Sequence, residues 1–231
     1  MTAGPFSGLS VTGQIARGFR DPTLSDRYFR GPSGRGYITG NPDLDPETSL
    51  QFDLATRYTI GATQLAAYAY HYRIDDIVER YSTAPDFFFF RNRGPARVRG
   101  IELEARTEVG HGIALEGGVN VGRGIALDDG APLDDIAPDT LFLVVRKNWT
   151  SRAYGQVRAS LMAADDRPGP SEIDAPGAQV IDVSGGWRVT PALELRGIMR
   201  NVLDDAYYAS PDPRWVYAAG RSGSVTLAFE F

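Results

Sequence analysis

Cysteine is absent from the 231 residues, and histidine occurs only twice. Without thiols there can be no disulfide framework and no thiolate metal site. The two histidines, His71 and His111, stand alone. A lipase or protease would want a His with a Ser or Asp partner at hydrogen-bond range, and no local pattern of that kind is present. The chain is therefore read as non-enzymatic, with no catalytic residue, no cofactor motif and no metal site. Also missing is any apolar run approaching the roughly 18 residues of a membrane helix. A basic surplus is lacking too: 29 acidic residues against 24 basic ones give a net charge of -5, which argues against nucleic acid as the partner. Finally, Met1–Phe6 has neither the basic nor the apolar region of a signal peptide.

What is present is alternation with period two, the mark of a strand with two unlike faces. In Leu50–Tyr58, Leu50, Phe52, Leu54 and Tyr58 form one face and Gln51, Asp53 and Arg57 the other. Between the apolar or small odd positions of Ile101–Val109 sit Glu102, Glu104, Arg106 and Glu108. Val157 and Leu161 alternate with Gln156 and Arg158, Ile181, Val183 and Trp187 with Asp182 and Arg188, and Leu193, Leu195 and Met199 with Glu194, Arg196 and Arg200. Leu141–Trp149 is apolar on both parities, so its faces stay open. About ten strands are predicted, near 9–17, 49–58, 64–80, 93–109, 113–123, 140–149, 152–163, 178–189, 192–201 and 222–231.

The connections alternate between short turns (59–63, 110–112, 150–151, 190–191) and long loops (18–48, 81–92, 124–139, 164–177, 202–221). Short turns at one end and long loops at the other is the layout of a transmembrane barrel. A soluble β-sandwich also alternates. Against it stand the length of the strands, beyond the five or six residues usual in globular sheets, and the density of charge on one parity alone. The expected fold is all-β: antiparallel transmembrane β-barrel strands with long extracellular loops and short periplasmic turns.

Six stretches, in order, resemble the TonB-dependent receptors of Gram-negative outer membranes. They are Arg17-Gly-Phe-Arg-Asp-Pro-Thr23, Gly40-Asn-Pro-Asp-Leu-Asp-Pro-Glu-Thr48, Tyr70–Arg80, Asn92–Glu104, Asn201-Val-Leu-Asp-Asp-Ala-Tyr-Tyr208, and Gly220-Arg221 with the alternating strand to Phe231. The resemblance implies a receptor that imports a scarce nutrient, a ferric siderophore being the commonest cargo, driven by the TonB–ExbB–ExbD complex. That family has a 22-stranded barrel with a plugged lumen, so about ten strands imply that residues 1–231 are the C-terminal half of the barrel, with plug domain and signal peptide absent from them. Localisation in the outer membrane, with a periplasmic C-terminus, follows from the same resemblance. The other expected partners are the barrel-assembly machinery, outer-membrane lipid and lipopolysaccharide. Two alternatives stay open: a stand-alone ten-stranded barrel acting as porin, adhesin or protease, and a soluble β-rich binding module.

Candidate ligand contacts are the aromatic and basic residues in or beside the long loops, where aromatics can grip a flat or apolar ligand: Phe87, Phe88, Phe89, Phe90, Arg91, Arg93, Tyr207, Tyr208 and Trp215. Val225, Leu227, Phe229 and Phe231 resemble the C-terminal signal read by the assembly machinery. Tyr68, Tyr70 and Tyr72 share one strand face and are expected in an interfacial aromatic girdle, His71 on the polar parity. The acidic segment Asp128–Asp135 lacks the ligand spacing of a calcium loop and is read as solvated.

Overall fold

The computed structural model describes residues 1–34, 36–210 and 216–229. Eleven strands form one antiparallel sheet. In spatial order they are β1 (Thr2–Phe6), β2 (Leu9–Arg20), β5 (Glu47–Ile60), β6 (Thr63–Asp75), β9 (Ala96–Gly110), β10 (Ile113–Ala126), β11 (Thr140–Thr150), β12 (Ala153–Met162), β13 (Ala178–Thr190), β14 (Leu193–Arg200) and β17 (Ser222–Phe229). Each strand pairs with its sequence neighbour in the sheet, as a meander does. Among the described residues β1 pairs only with β2, and β17 only with β14, so the sheet has two free edges.

Ten of these strands answer to the predicted ones; β1 does not. Pro5, which removes a ladder donor, and a length of five residues hid it. It reaches β2 through Ser7 and Gly8, both at positive φ, the geometry of a tight type I′ hairpin turn. His111 and Gly112 make the same kind of turn between β9 and β10. All the two-residue turns that join neighbouring strands of this sheet gather at one end, and the long connections at the other.

The register sorts every side chain to a face, because directly opposed residues in an antiparallel ladder share one. Leu54, Ala69, Ile101 and Val121 lie in one row across β5, β6, β9 and β10; Ala67, Leu103, Val119, Leu141 and Leu161 lie in the next. This apolar face stands exposed, with Phe52, Leu54, Leu143, Val157, Val183, Trp187 and Val225 among its members. It also settles β11: Leu141, Leu143 and Val145 face outward, whereas Phe142 faces inward beneath the Arg158 guanidinium, 4.3 Å from its ring centroid.

Two expectations are corrected here. Phe52 pairs with His71, so His71 lies on the apolar-parity face, not the polar one. Tyr68, Tyr70 and Tyr72 lie on the opposite, polar face, not in an outer girdle: the Tyr72 hydroxyl donates to Asp53 at 2.8 Å, and Arg57 Nη2 donates to the Tyr68 hydroxyl at 3.2 Å. Gly100 makes room for Tyr70; a Cβ there would sit 2.3 Å from its hydroxyl oxygen.

The long connections carry structure of their own. A five-residue helix, α1 (Leu24–Tyr28), is capped by Thr23 and Asp26 in a reciprocal capping box. Beyond it, β3 (Arg30–Ser33) and β4 (Gly36–Thr39) join β7 (Val78–Ala84) and β8 (Phe87–Asn92) in a four-stranded sheet of order β3-β4-β8-β7. The predicted strand 64–80 therefore ends at Asp75, and Asp76, at φ 59, turns the chain into β7. A last pair, β15 (Tyr208–Ser210) with β16 (Val216–Tyr217), forms a separate two-stranded ribbon.

Candidate functional site

At the loop-bearing end, two connections far apart in sequence are joined through the parallel pairing of β4 with β8, Tyr37 opposite Phe87 and Thr39 opposite Phe89. Polar side chains lock the join. The Asn41 Nδ2 donates to the Phe90 carbonyl at 3.1 Å, and the Asn92 Nδ2 donates to the carbonyls of Asp45 and Asp76 at 2.9 and 2.8 Å. Glu47, gripped by Arg20 at 2.6 Å, also accepts the Val78 N–H at 2.6 Å.

Arg93 is the hub. It is only 7% exposed; its Nη1 donates to Glu79 at 2.7 Å, its Nη2 to Asp129, and its Nε lies 3.4 Å from Asp128. Burial alone would weaken its charge, but the attraction of Glu79, then of Asp128 and Asp129, more than offsets it and holds the guanidinium pKa above its ordinary value. The Ala131 N–H, at 2.8 Å, and after it Arg93 hold the Asp129 carboxyl below the usual range. Buried Glu79 also takes Arg91 at 2.7 Å, and Arg91 stacks over Tyr81.

The expected aromatic run forms β8 and splits by parity. Phe87 lies against Tyr37 and Phe89 against Tyr81, with ring centroids 6.1 and 6.0 Å apart, while Phe88 lies under Arg80 at 5.3 Å. Phe90 lines a cavity of about 500 Å³ together with Glu79, Arg80, Leu133 and Glu172. Tyr208 stacks on Tyr217, centroids 4.9 Å apart, in the separate ribbon that follows Tyr207. So the structure gathers Phe87–Phe90 and Arg91 in one sheet with Arg93 just beyond its end, and holds Tyr207 and Tyr208 apart from it. Trp215 and Phe231 lie outside the described residues; Val225, Leu227 and Phe229 stand exposed on the apolar face of β17.

Tyr37, Tyr81, Glu79 and Arg80 were not singled out from sequence. Pro85-Asp86 between two strand-like runs was the readable sign of the β7–β8 hairpin that presents three of them. Nor is Asp128–Asp135 a free solvated loop. Asp128 and Asp129 hold Arg93, and Asp134 accepts the Ser171 N–H at 2.9 Å and its hydroxyl at 2.7 Å. In return, Glu172 accepts the Asp135 N–H at 2.7 Å and the Gly169 N–H at 2.9 Å.

Burial pushes the Glu172 carboxyl above its ordinary 4.5; those two N–H groups work the other way, and Asp134 and Asp135 add to the rise. A folded pKa above the unfolded one means that the docked loop binds the proton more tightly. Docking of 163–177 onto 127–139 should thus strengthen as pH falls through the raised value, and gain nothing further below about 4.5. Hydrogen exchange at the Ser171 and Asp135 amides across this window checks it. Glu172→Gln should flatten the dependence, and an unchanged slope would count against the assignment.

The family model described as TonB dependent receptor-like, beta-barrel, matches residues 5–202. This chain belongs to that family. The vitamin B12 transporter BtuB of Vibrio vulnificus is 27% identical over 237 residues, covering 98% of this chain and 36% of that protein. An iron-regulated outer membrane virulence protein of Vibrio cholerae is 38% identical over 74 residues, 31% of this chain and 11% of its own length. Among solved structures, the copper transporter OprC superposes with a TM-score of 0.86 at 19% identity, over 97% of this chain and 38% of that one. A ferric enterobactin receptor mutant from Pseudomonas aeruginosa superposes with a TM-score of 0.78 at 16% identity, over 100% of this chain and 39% of that one. These two likenesses establish a shared fold. The chain spans about a third of the length of the curated relative that it matches end to end.

Proposed function

We propose that residues 1–231 are the C-terminal part of the barrel wall of an outer-membrane receptor that imports a scarce nutrient, a ferric siderophore, with energy delivered through TonB. The short turns and the C-terminus would face the periplasm and the long loops the outside. The plug domain and signal peptide would lie outside this segment, and TonB–ExbB–ExbD would act through that part. The observation that carries the reading is the pair of free edges, β1 and β17, flanking a sheet whose apolar face stands exposed. Hydrocarbon does not tolerate unpaired strand edges, which speaks for further wall strands and against a barrel closed by these strands alone. An exposed apolar face of this extent does not suit a soluble module.

In this reading the chain supplies wall strands, lumen charges and the outer mouth. Phe87, Phe88, Phe89, Phe90 and Arg91 would contact ligand from the four-stranded loop sheet, joined by Tyr207, Tyr208 and Trp215. Arg93, buried and paired, would contribute by holding the loops in place. The barrel-assembly machinery would read Val225, Leu227, Phe229 and Phe231.

Uptake of labelled ferric siderophores, cobalamin and copper, compared in cells with and without the gene and with and without TonB, tests the proposal. The expected result is loss of one ferric siderophore alone, and equally in cells lacking TonB. Loss of cobalamin or copper uptake instead would overturn the cargo; uptake indifferent to TonB would overturn the receptor reading.

A further inference from the structure

The cavity of about 500 Å³ that Phe90 lines is of a size that takes a small molecule. It lies where β6 turns into β7, beside the docked loops 127–139 and 163–177. Its floor is apolar, formed by Ile74, Ile77, Val98, Leu133 and Ile136 beside Phe90. The first five pack in the cluster around Ala96 and Ala126, so the floor is part of a fixed core.

The polar lining is unevenly charged. Arg20 is taken up by Glu47, Nε to Oε2 at 2.6 Å and Nη2 to Oε1 at 2.8 Å, with Asp26 at 3.9 Å. Glu79 is neutralised by Arg91 and Arg93, and Arg80 lies over the Phe88 ring. Asp134, Asp135 and Glu172 remain. Asp134 and Glu172 accept N–H and hydroxyl groups, and no ion pair among the described residues reaches any of the three. Burial, and after it Asp134 and Asp135, hold the Glu172 carboxyl above its ordinary value despite its two N–H donors. That is the behaviour of a carboxylate crowded by like charge with no counter-cation beside it. A ligand bringing positive charge relieves this crowding, whereas an anionic ligand is repelled by it.

We propose that this cavity binds the protonated amine of a cationic ligand, with Asp134, Asp135 and Glu172 receiving the ammonium and the apolar floor its alkyl stem. The inference rests on the siderophore reading above and narrows the cargo to ferric chelates that carry a free amine and a net positive charge.

The test uses the whole protein extracted from outer membranes in detergent, with binding of three ferric probes read by titration calorimetry. One is a ferric trihydroxamate with a pendant primary amine; another is the same chelate with that amine acetylated; the third is trianionic ferric enterobactin. Wild type should bind the amine chelate roughly tenfold more tightly than the acetylated one, the low end for a hydrogen bond to a charged group. It should bind ferric enterobactin most weakly. The double variant Asp135→Asn/Glu172→Gln should bind both hydroxamates alike. Asp135→Asn alone disturbs no side-chain hydrogen bond among the described residues and should reduce the preference to about threefold. Asp166→Asn removes a carboxylate that is 86% exposed and outside the cavity, and should keep the full preference. Protection of Phe87–Phe90 from chymotrypsin reports that the loops are folded in each variant. Equal binding of the two hydroxamates by wild type would overturn the inference, as would a preference that survives in both the single and the double variant. Tight binding of ferric enterobactin alone would also overturn it, while leaving the siderophore reading intact. Binding of no ferric chelate would overturn the siderophore reading itself and the inference with it.

Discussion

Arg93→Ala should open the loop-bearing end of the sheet to protease. Removing the guanidinium leaves Glu79 buried with only half-exposed Arg91 to neutralise it, and releases Asp128 and Asp129 from the β6–β9 connection. Breaking a buried pair from one side costs roughly 3 kcal/mol or more. Cleavage that tracks the open population should then rise about a hundredfold. Chymotrypsin is the suitable probe, since Phe87–Phe90 lie in the segment that would come free. Arg93→Lys keeps the charge but loses the fork, so it should fall between. Glu79→Gln in the Arg93→Ala background should recover part of the protection, because it is the buried carboxylate left with Arg91 alone, more than the lost contact, that destabilises the loop. Equal cleavage of wild type and Arg93→Ala would show that the hub holds nothing.

Asn201→Ala should loosen the exit of β14. Asn201 is 2% exposed and adopts φ 48. Its Nδ2 donates to the Asp205 carbonyl at 2.9 Å, and its Oδ1 accepts the Asp205 N–H at 3.0 Å. Alanine loses both bonds, at about 1 kcal/mol each, and pays a further 1 kcal/mol or so for a left-handed backbone that asparagine tolerates better. A loss of roughly 3 kcal/mol should lower the temperature at which the folded, fast-migrating band disappears on gels. Asn201→Gly keeps the backbone freedom and loses only the bonds, so it should be milder. If glycine proves as damaging as alanine, the left-handed backbone is not part of the effect.

The same local bonding explains why the Asn201–Tyr208 stretch was legible as a motif. Its residues staple three strands: the Asn201 N–H donates to Asp182 on β13 at 2.9 Å, Asp205 accepts the Gln179 N–H at 2.8 Å, and Asp204 accepts the Arg221 N–H before β17 at 2.7 Å. Short-range hydrogen bonding of this kind needs fixed residue types at fixed spacing, so it shows in sequence. The Arg93 hub does not. Its partners come from segments 14, 35 and 36 residues away, and nothing local distinguishes a buried, paired arginine from an exposed one. For that reason Arg91 and Arg93 read as candidate ligand contacts, and Asp128–Asp135 as a solvated loop.

Face assignment divided in the same way. Where one parity was charged, as in Ile101–Val109, alternation alone named the faces. In β6 the tyrosines could belong to either face, and only the pairing of Phe52 with His71 decided that Tyr68, Tyr70 and Tyr72 point inward. Leu141–Trp149, apolar on both parities, needed its neighbours β10 and β12 for the same purpose.

The sequence by itself determined ten strands of the wall, the alternation of short turns with long loops, and the family, because period-two patterning and turn chemistry are local properties of the chain. Tertiary structure alone decided that two loops merge into one sheet through the β4–β8 pairing, and that Arg93 is buried there. Each of these depends on which residues come to lie opposite one another across strands distant in sequence, and register between such strands is set by the packing of the whole sheet.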